Sequence, residues 1–336
     1  MTDPADRSAG GDDVPPAPAA TPALGLFRFT LEGRTAPGLF GAGWLTSLLG
    51  AIGAFVGILA GPTVAGALLF VIGLAALLIG LVLLGGAQAI ERRVAGSRYA
   101  GPAPLLVLAA TGVGLYVAVA VVATPLRAVH VELTGPGLTL FAVLLQALVG
   151  VALIRVLVVG SGALSWTDMG LRLSLPGTMR DLAWGATFAL PVIVITAMLV
   201  GILVNLLHAA PESPLQPTGT GIGLAINLLA GAVIAPVYEE LLFRGFATTA
   251  WARVVPAATA IIRTSLLFAL AHVITQGGDT FDEAIRVVVV GAGARIPVAF
   301  ALGYVFLRRG SLWAAIGLHA TFNAVLIVLA ERALTG

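Results

Sequence analysis

The chain has 336 residues, 59% of them hydrophobic and only 10% charged, with a mean hydropathy of +1.03. That composition excludes an ordinary water-soluble globular domain and marks a polytopic, all-α membrane protein. A formal charge of +2 with scattered arginines gives no basic stripe for nucleic acid, and the absence of cysteine excludes disulfides, thiolate catalysis and thiolate metal ligation.

Residues 1–37 are rich in Pro, Ala, Gly and Asp and lack apolar periodicity, which predicts a disordered cytoplasmic tail. The acidic start lacks the basic region and short apolar core of a cleavable signal peptide. Nine apolar stretches follow, at 39–60, 64–86, 104–124, 138–159, 183–207, 221–245, 257–275, 287–307 and 312–330. Each approaches the ~20 residues that cross about 30 Å of hydrocarbon, which predicts a transmembrane helix bundle of eight to nine spans. The first four form a membrane region over 38–160. Between the first two, Gly61-Pro62-Thr63 is so short that the helices must form a tight antiparallel hairpin, and Gly53, Gly57 and Gly61 offer a small-residue stripe for internal packing.

Arginine counting predicts the orientation, because cytoplasmic loops retain positive charge. One set of loops holds Arg28, Arg34, Arg92, Arg93, Arg98, Arg172, Arg180, Arg253, Arg308 and Arg309. The other holds little beyond Arg127 and Arg286, together with Glu212, Asp279, Asp282 and Glu283. The N-terminus is therefore expected in the cytoplasm. All 18 basic residues are arginine, which with the abundance of Ala and Gly suggests a GC-rich bacterial source and hence the bacterial inner membrane. Arg155 lies near a span end, where snorkelling accounts for it. Arg295 lies deeper, so it lines a cavity or pairs with a buried acid.

The densest chemistry lies in residues 235–246, APVYEELLFRGF, where Glu239, Glu240 and Arg244 interrupt apolar sequence. Ionisable groups at membrane depth are costly, by roughly 2.5–3.5 kcal/mol on insertion scales, so they normally face partners or a wet cavity. On a helix Glu240 and Arg244 share a face and can pair, while Glu239 points about 100° away and is left for chemistry. Of four histidines, His130 and His208 sit at span ends, whereas His272 and His319 are inside spans. His319 and Asn323, four residues apart, share a helical face. Counting residues from the span ends puts Glu239 and His319 at compatible depths and His272 deeper.

These groups suit hydrolysis of an amide. A carboxylic acid in an apolar pocket is a better general base near neutral pH than one in water, and can pass its proton to a leaving amine. One histidine can orient the water, while the second and an asparagine amide can donate to a developing oxyanion.

The ordered set Glu239-Glu240-x-x-x-Arg244, Phe268-x-x-x-His272 and His319-x-x-x-Asn323, each within a span, resembles the CAAX protease and bacteriocin-processing family, which includes the type II CAAX prenyl endopeptidases. Trp166 to Leu173 and the stretch YVFLRRGSLW around 304–313 fit as well, so the resemblance covers roughly 165–330. It implies a catalytic core over 165–332 and an intramembrane endopeptidase whose site opens to the cytoplasm. Its substrate would be a peptide or membrane protein within the lipid bilayer. It further implies Glu239 as the water-activating base, His272, His319 and Asn323 as the oxyanion site, and Glu240 with Arg244 as support. No cofactor is expected on this reading. Zinc held by Glu239, His272 and His319 is the alternative, although no H-E-x-x-H helix is present. Two rivals remain: a non-enzymatic scaffold or bacteriocin immunity factor, and a proton-coupled transporter, for which the chain halves show no repeat.

Overall fold

The structure, a computed structural model, describes residues 25–128, 135–210 and 216–335. Residues 1–24 of the expected tail, His130 and Glu212 lie outside the described residues. Among the described residues the fold is an all-α bundle. Its helices are α1 (Pro37–Leu59), α2 (Val64–Val94), α3 (Pro104–Ala128), α4 (Pro136–Leu153) and, past a π-helical turn at Ile154–Val159, α5 (Leu175–Ala186) and α6 (Ala189–Leu207). Next come α7 (Gly221–Leu228), α8 (Ala235–Glu240) and α9 (Thr249–Ala252), which form one helical rod through π-helical turns at Leu229–Ile234 and Leu241–Thr248. α10 (Ala257–Val273), α11 (Phe281–Arg309) and α12 (Leu312–Thr335) complete the chain.

Eight of these helical units are long and apolar enough to cross a membrane by length and composition, and α10 is a shorter apolar helix of 17 residues. The fifth apolar stretch, expected as one helix over 183–207, starts earlier and breaks between α5 and α6. Proline opens α1, α4 and α5, where its missing N–H costs nothing. Thr63, Thr220 and Thr280 cap α2, α7 and α11 by accepting from the N–H groups of Gly66, Gly223 and Glu283.

The α1–α2 hairpin closes on glycine, and of the stripe expected from the sequence Gly57 lies in the seam and Gly53 touches Gly73. Gly43, Gly50 and Gly57 of α1 face Gly80, Gly73 and Gly66 of α2, at a spacing of seven that keeps one seam in contact. A Cβ on Gly50 would stand 2.3 Å from the Leu77 nitrogen, and one on Gly73 would stand 2.2 Å from the Ala54 nitrogen. Gly61 instead makes the turn, at φ +67°.

Residues 25–36, counted with the tail in the sequence, fold back onto this hairpin. Arg34 donates to Glu91 at 2.8 Å and to the carbonyls of Thr30 and Gly25, and its guanidinium covers the Phe40 ring. Phe27 and Phe29 pack on Trp44. A single arginine thus supplies enough donors to order a segment that composition alone reads as loose.

One apolar core joins α2, α3 and α4 to the rest: Val107 and Ala110 of α3, with Ile154 and Leu157, pack into a cluster with Phe243, Phe246, Phe268, Leu302 and Leu318. At one end of the bundle the arginine-bearing segments converge. Arg93 donates to the Ser161 carbonyl, Arg253 pairs with Asp168 at 3.1 Å, and Arg309 pairs with Asp181 at 2.8 Å.

Candidate active site

Glu239 and Glu240 end α8, a six-residue segment between two π-helical turns. Pro236 follows closely on the first turn. In the π register the Ala235 N–H bonds five residues back to the Ala230 carbonyl, and the next donor in that register would be residue 236 onto Gly231. Proline has no N–H, so the Gly231 carbonyl is left without a backbone partner. Asn323 of α12 supplies one, its side-chain amide donating to that carbonyl at 2.8 Å. The second turn is supported by Thr248, whose hydroxyl donates to the Phe243 carbonyl five residues back at 3.0 Å. Insertions of this kind re-aim side chains along a helix and recur at functional sites.

Glu240 and Arg244 are completely buried and pair at 2.9 Å, the partnership their spacing predicts. The same carboxylate oxygen accepts from His319 Nδ1 at 2.8 Å, and Arg244 donates on to the Ala299 carbonyl of α11 at 3.1 Å. Phe268 is the shared platform. Its ring lies 4.5 Å from the Arg244 guanidinium carbon, 4.4 Å from the His272 ring and 5.8 Å from the His319 ring.

Glu239 faces the other way. Its Oε2 is buried and makes no hydrogen bond among the described residues. It stands 3.6 Å from His272 Nε2 and 3.9 Å from His319 Nε2. Both rings are pinned at the far nitrogen: His272 Nδ1 donates to the Phe268 carbonyl at 2.8 Å, and His319 Nδ1 donates to Glu240. Each therefore presents Nε2 to the free carboxylate oxygen. The depth mismatch of His272 disappears because the rod carrying Glu239 runs on to Ala252 and α10 places His272 in its last turn.

Asn323 does not join this group directly, since its side-chain amide donates to the Gly231 carbonyl in the turn that leads into α8. Arg295 of α11 donates to the Gly291 carbonyl at 3.1 Å and acts electrostatically on Glu239 and His272, so it borders the site. Two residues beyond the predicted set also take part. Tyr238 Oη lies 3.3 Å from Glu239 Oε1 and 2.6 Å from Gln146 Oε1 of α4. Gln146 was discoverable as an isolated amide in an otherwise apolar span, and Tyr238 as the neighbour of the glutamate pair.

One carboxylate and two imidazoles are a donor type that zinc accepts. Glu239, His272 and His319 are the residues that would hold such an ion, around Glu239 Oε2. No step below is routed through a metal.

Residues 221–325 match the family model described as type II CAAX prenyl endopeptidase Rce1-like. The chain carries an Rce1-like region. All seven residues of the three motifs fall inside it, as do Tyr238 and Arg295. The match agrees with the family that the motifs resemble, a family of proteases, and together with the eight apolar helical units it makes the chain an integral membrane protein. Gln146, α1 to α6 and the last turns of α12 lie outside the Rce1-like region. No curated protein and no solved structure matches the chain.

Proposed function

We propose that the protein is an intramembrane endopeptidase that hydrolyses a peptide bond of a membrane-associated protein or peptide with water activated by Glu239. The observation that carries this reading is Glu239 Oε2, buried, without a hydrogen bond and faced by two imidazole nitrogens. A water held between these atoms gives a proton to Glu239 as its oxygen adds to the scissile carbonyl carbon. His272 Nε2, unprotonated while Nδ1–H serves Phe268, accepts the water's other hydrogen and fixes its orientation. With the Glu240 carboxylate on Nδ1, the His319 ring can also carry a proton on Nε2 and donate it to the developing oxyanion. Collapse of the tetrahedral intermediate breaks the C–N bond, and Glu239 returns its proton to the leaving amine.

In this reading Glu240 and Arg244 hold His319. Asn323 positions α8 through Gly231, in place of the direct oxyanion contact that the family resemblance implies. The convergence of arginine-rich segments at one end of the bundle supports a cytoplasmic N-terminus in a bacterial inner membrane.

The deciding experiment compares purified wild type with Glu239→Gln on a quenched peptide library, with a chelator added in parallel. Cleavage should fall by about 10²–10⁴-fold in the variant, the range for a lost general base, and survive the chelator. Full activity in a folded Glu239→Gln protein would sink the assignment and favour a scaffold. Loss with chelator would transfer it to a metal-dependent mechanism.

A further inference from the structure

Away from the catalytic group, a cavity of about 330 Å³ lies where the C-terminal turn of α2 and residues 95–103 meet α9 and the start of α10. Arg92, Ser97, Tyr99, Trp251 and Arg263 are among its lining residues, and no lining residue is acidic. The nearby carboxylates are committed elsewhere, Glu91 to Arg34 at 2.8 Å and Asp168 to Arg253 at 3.1 Å. Arg92 spends one N–H on the Gly101 carbonyl at 2.6 Å, and Arg263 lies over the Trp251 ring at 5.9 Å. Neither arginine makes an ion pair among the described residues. Tyr99 brings no negative charge, because burial pushes its phenol up and its hydroxyl donates to the Pro102 carbonyl at 2.9 Å.

Two guanidinium groups at one cavity, with no carboxylate to balance them, leave a net attraction for an anion. Guanidinium forks match the oxygens of a phosphate group in particular, and the Ser97 hydroxyl adds a further donor. The position is interfacial: Arg92 is in the last turn of α2, and Arg93 next to it reaches the arginine-rich end of the bundle. Aromatic side chains such as Trp251 and Tyr99 favour that headgroup level, and basic pockets between helices there suit anionic headgroups.

We propose that this cavity binds a phosphate-bearing anion, supplied by the headgroup of an anionic phospholipid or by free phosphate. Bound there, it would bridge α2 to α10 and brace α9, which continues the rod that carries Glu239. The proposal does not depend on the peptidase reading, because its test reads binding alone.

The test uses the full-length protein in detergent and counts retained lipid by native mass spectrometry, with phosphatidylglycerol compared against phosphatidylcholine. Radiolabelled inorganic phosphate forms a separate arm. Wild type should prefer phosphatidylglycerol by roughly tenfold or more, and the Arg92→Gln/Arg263→Gln double variant should fall to the phosphatidylcholine level. Retention in the lipid arm identifies a headgroup as the source, and binding in the phosphate arm alone identifies free phosphate. The proposal is overturned if wild type neither distinguishes the two lipids nor binds phosphate, or if a double variant of wild-type helicity binds as wild type does. Should the double variant fail to fold, Ser97→Glu decides: a carboxylate in the cavity must repel the anion, and unchanged binding would overturn the assignment.

Discussion

Pro236 removes one N–H from the rod, and the effect can be followed to Asn323 on another helix. In an apolar interior an unpaired carbonyl costs about 1–3 kcal/mol, so the Asn323 amide on the Gly231 oxygen is a structural necessity created by the proline. Asn323→Ala should therefore lower thermal stability by about 1–3 kcal/mol while slowing cleavage. A direct oxyanion donor would instead lose about 10²–10³ in kcat with little change in stability, and measuring both quantities on one variant separates the two roles. Tyr238 gives a second prediction. Its hydroxyl can donate to only one of Gln146 and Glu239 at a time, so Gln146 decides how that hydroxyl meets the carboxylate. Gln146→Leu should lower kcat by about tenfold and alter the pH profile, whereas a packing defect alone would leave the profile in place.

Helix contacts set where these side chains stand. α5 and α12 touch backbone to backbone at two reciprocal glycines: a Cβ on Gly185 would lie 1.9 Å from the Ala314 oxygen, and one on Gly317 would lie 2.2 Å from the Leu182 oxygen. Gly317 is two residues before His319, so any separation there carries the imidazole away from Glu239. Gly317→Ala should cost about 1–3 kcal/mol in thermal unfolding and depress kcat. A fully active, equally stable Gly317→Ala would show that α12 is not held at this seam. The π-helical turns act at the same scale. They lie on both sides of α8, so the face presented by Glu239 depends on insertions that no regular helical spacing encodes.

Across the whole molecule, the four helices outside the Rce1-like region that precede residue 160 are not a separate body. α2, α3 and α4 share the apolar core, and α4 sends Gln146 to Tyr238 beside Glu239. At the basic end, the segment at 165–168 is tied to the rod by Asp168 on Arg253. The Ser165 backbone N–H and hydroxyl, with Arg253, hold the Asp168 carboxyl below the usual carboxylate range. A depressed native value supplies stability above the ordinary range of an aspartate and loses it as the pH falls through the native value. Wild type should thus lose thermal stability on acidification more than Asp168→Asn, a comparison made by melting both in detergent across the acid range.

The membrane class, the nine apolar helical segments and the seven motif residues were all legible in the sequence, because hydropathy over ~20 residues and the cost of intramembrane charge are local properties. The pairing of Glu240 with Arg244 was legible too, since four residues along a helix fix a shared face. The glycine seam was legible only in part, Gly57 and Gly53 but not the full set, because a stripe of small residues says which faces can approach, and only the partner helix selects the set that does. The ordering of residues 25–36 depended on a carboxylate at Glu91, far along the chain. The diversion of Asn323 to Gly231, the convergence of both histidines on one oxygen of Glu239, and the entry of Gln146 were decided by tertiary structure alone. Each depends on the distance between atoms on different helices, and sequence spacing constrains such distances only within one helix.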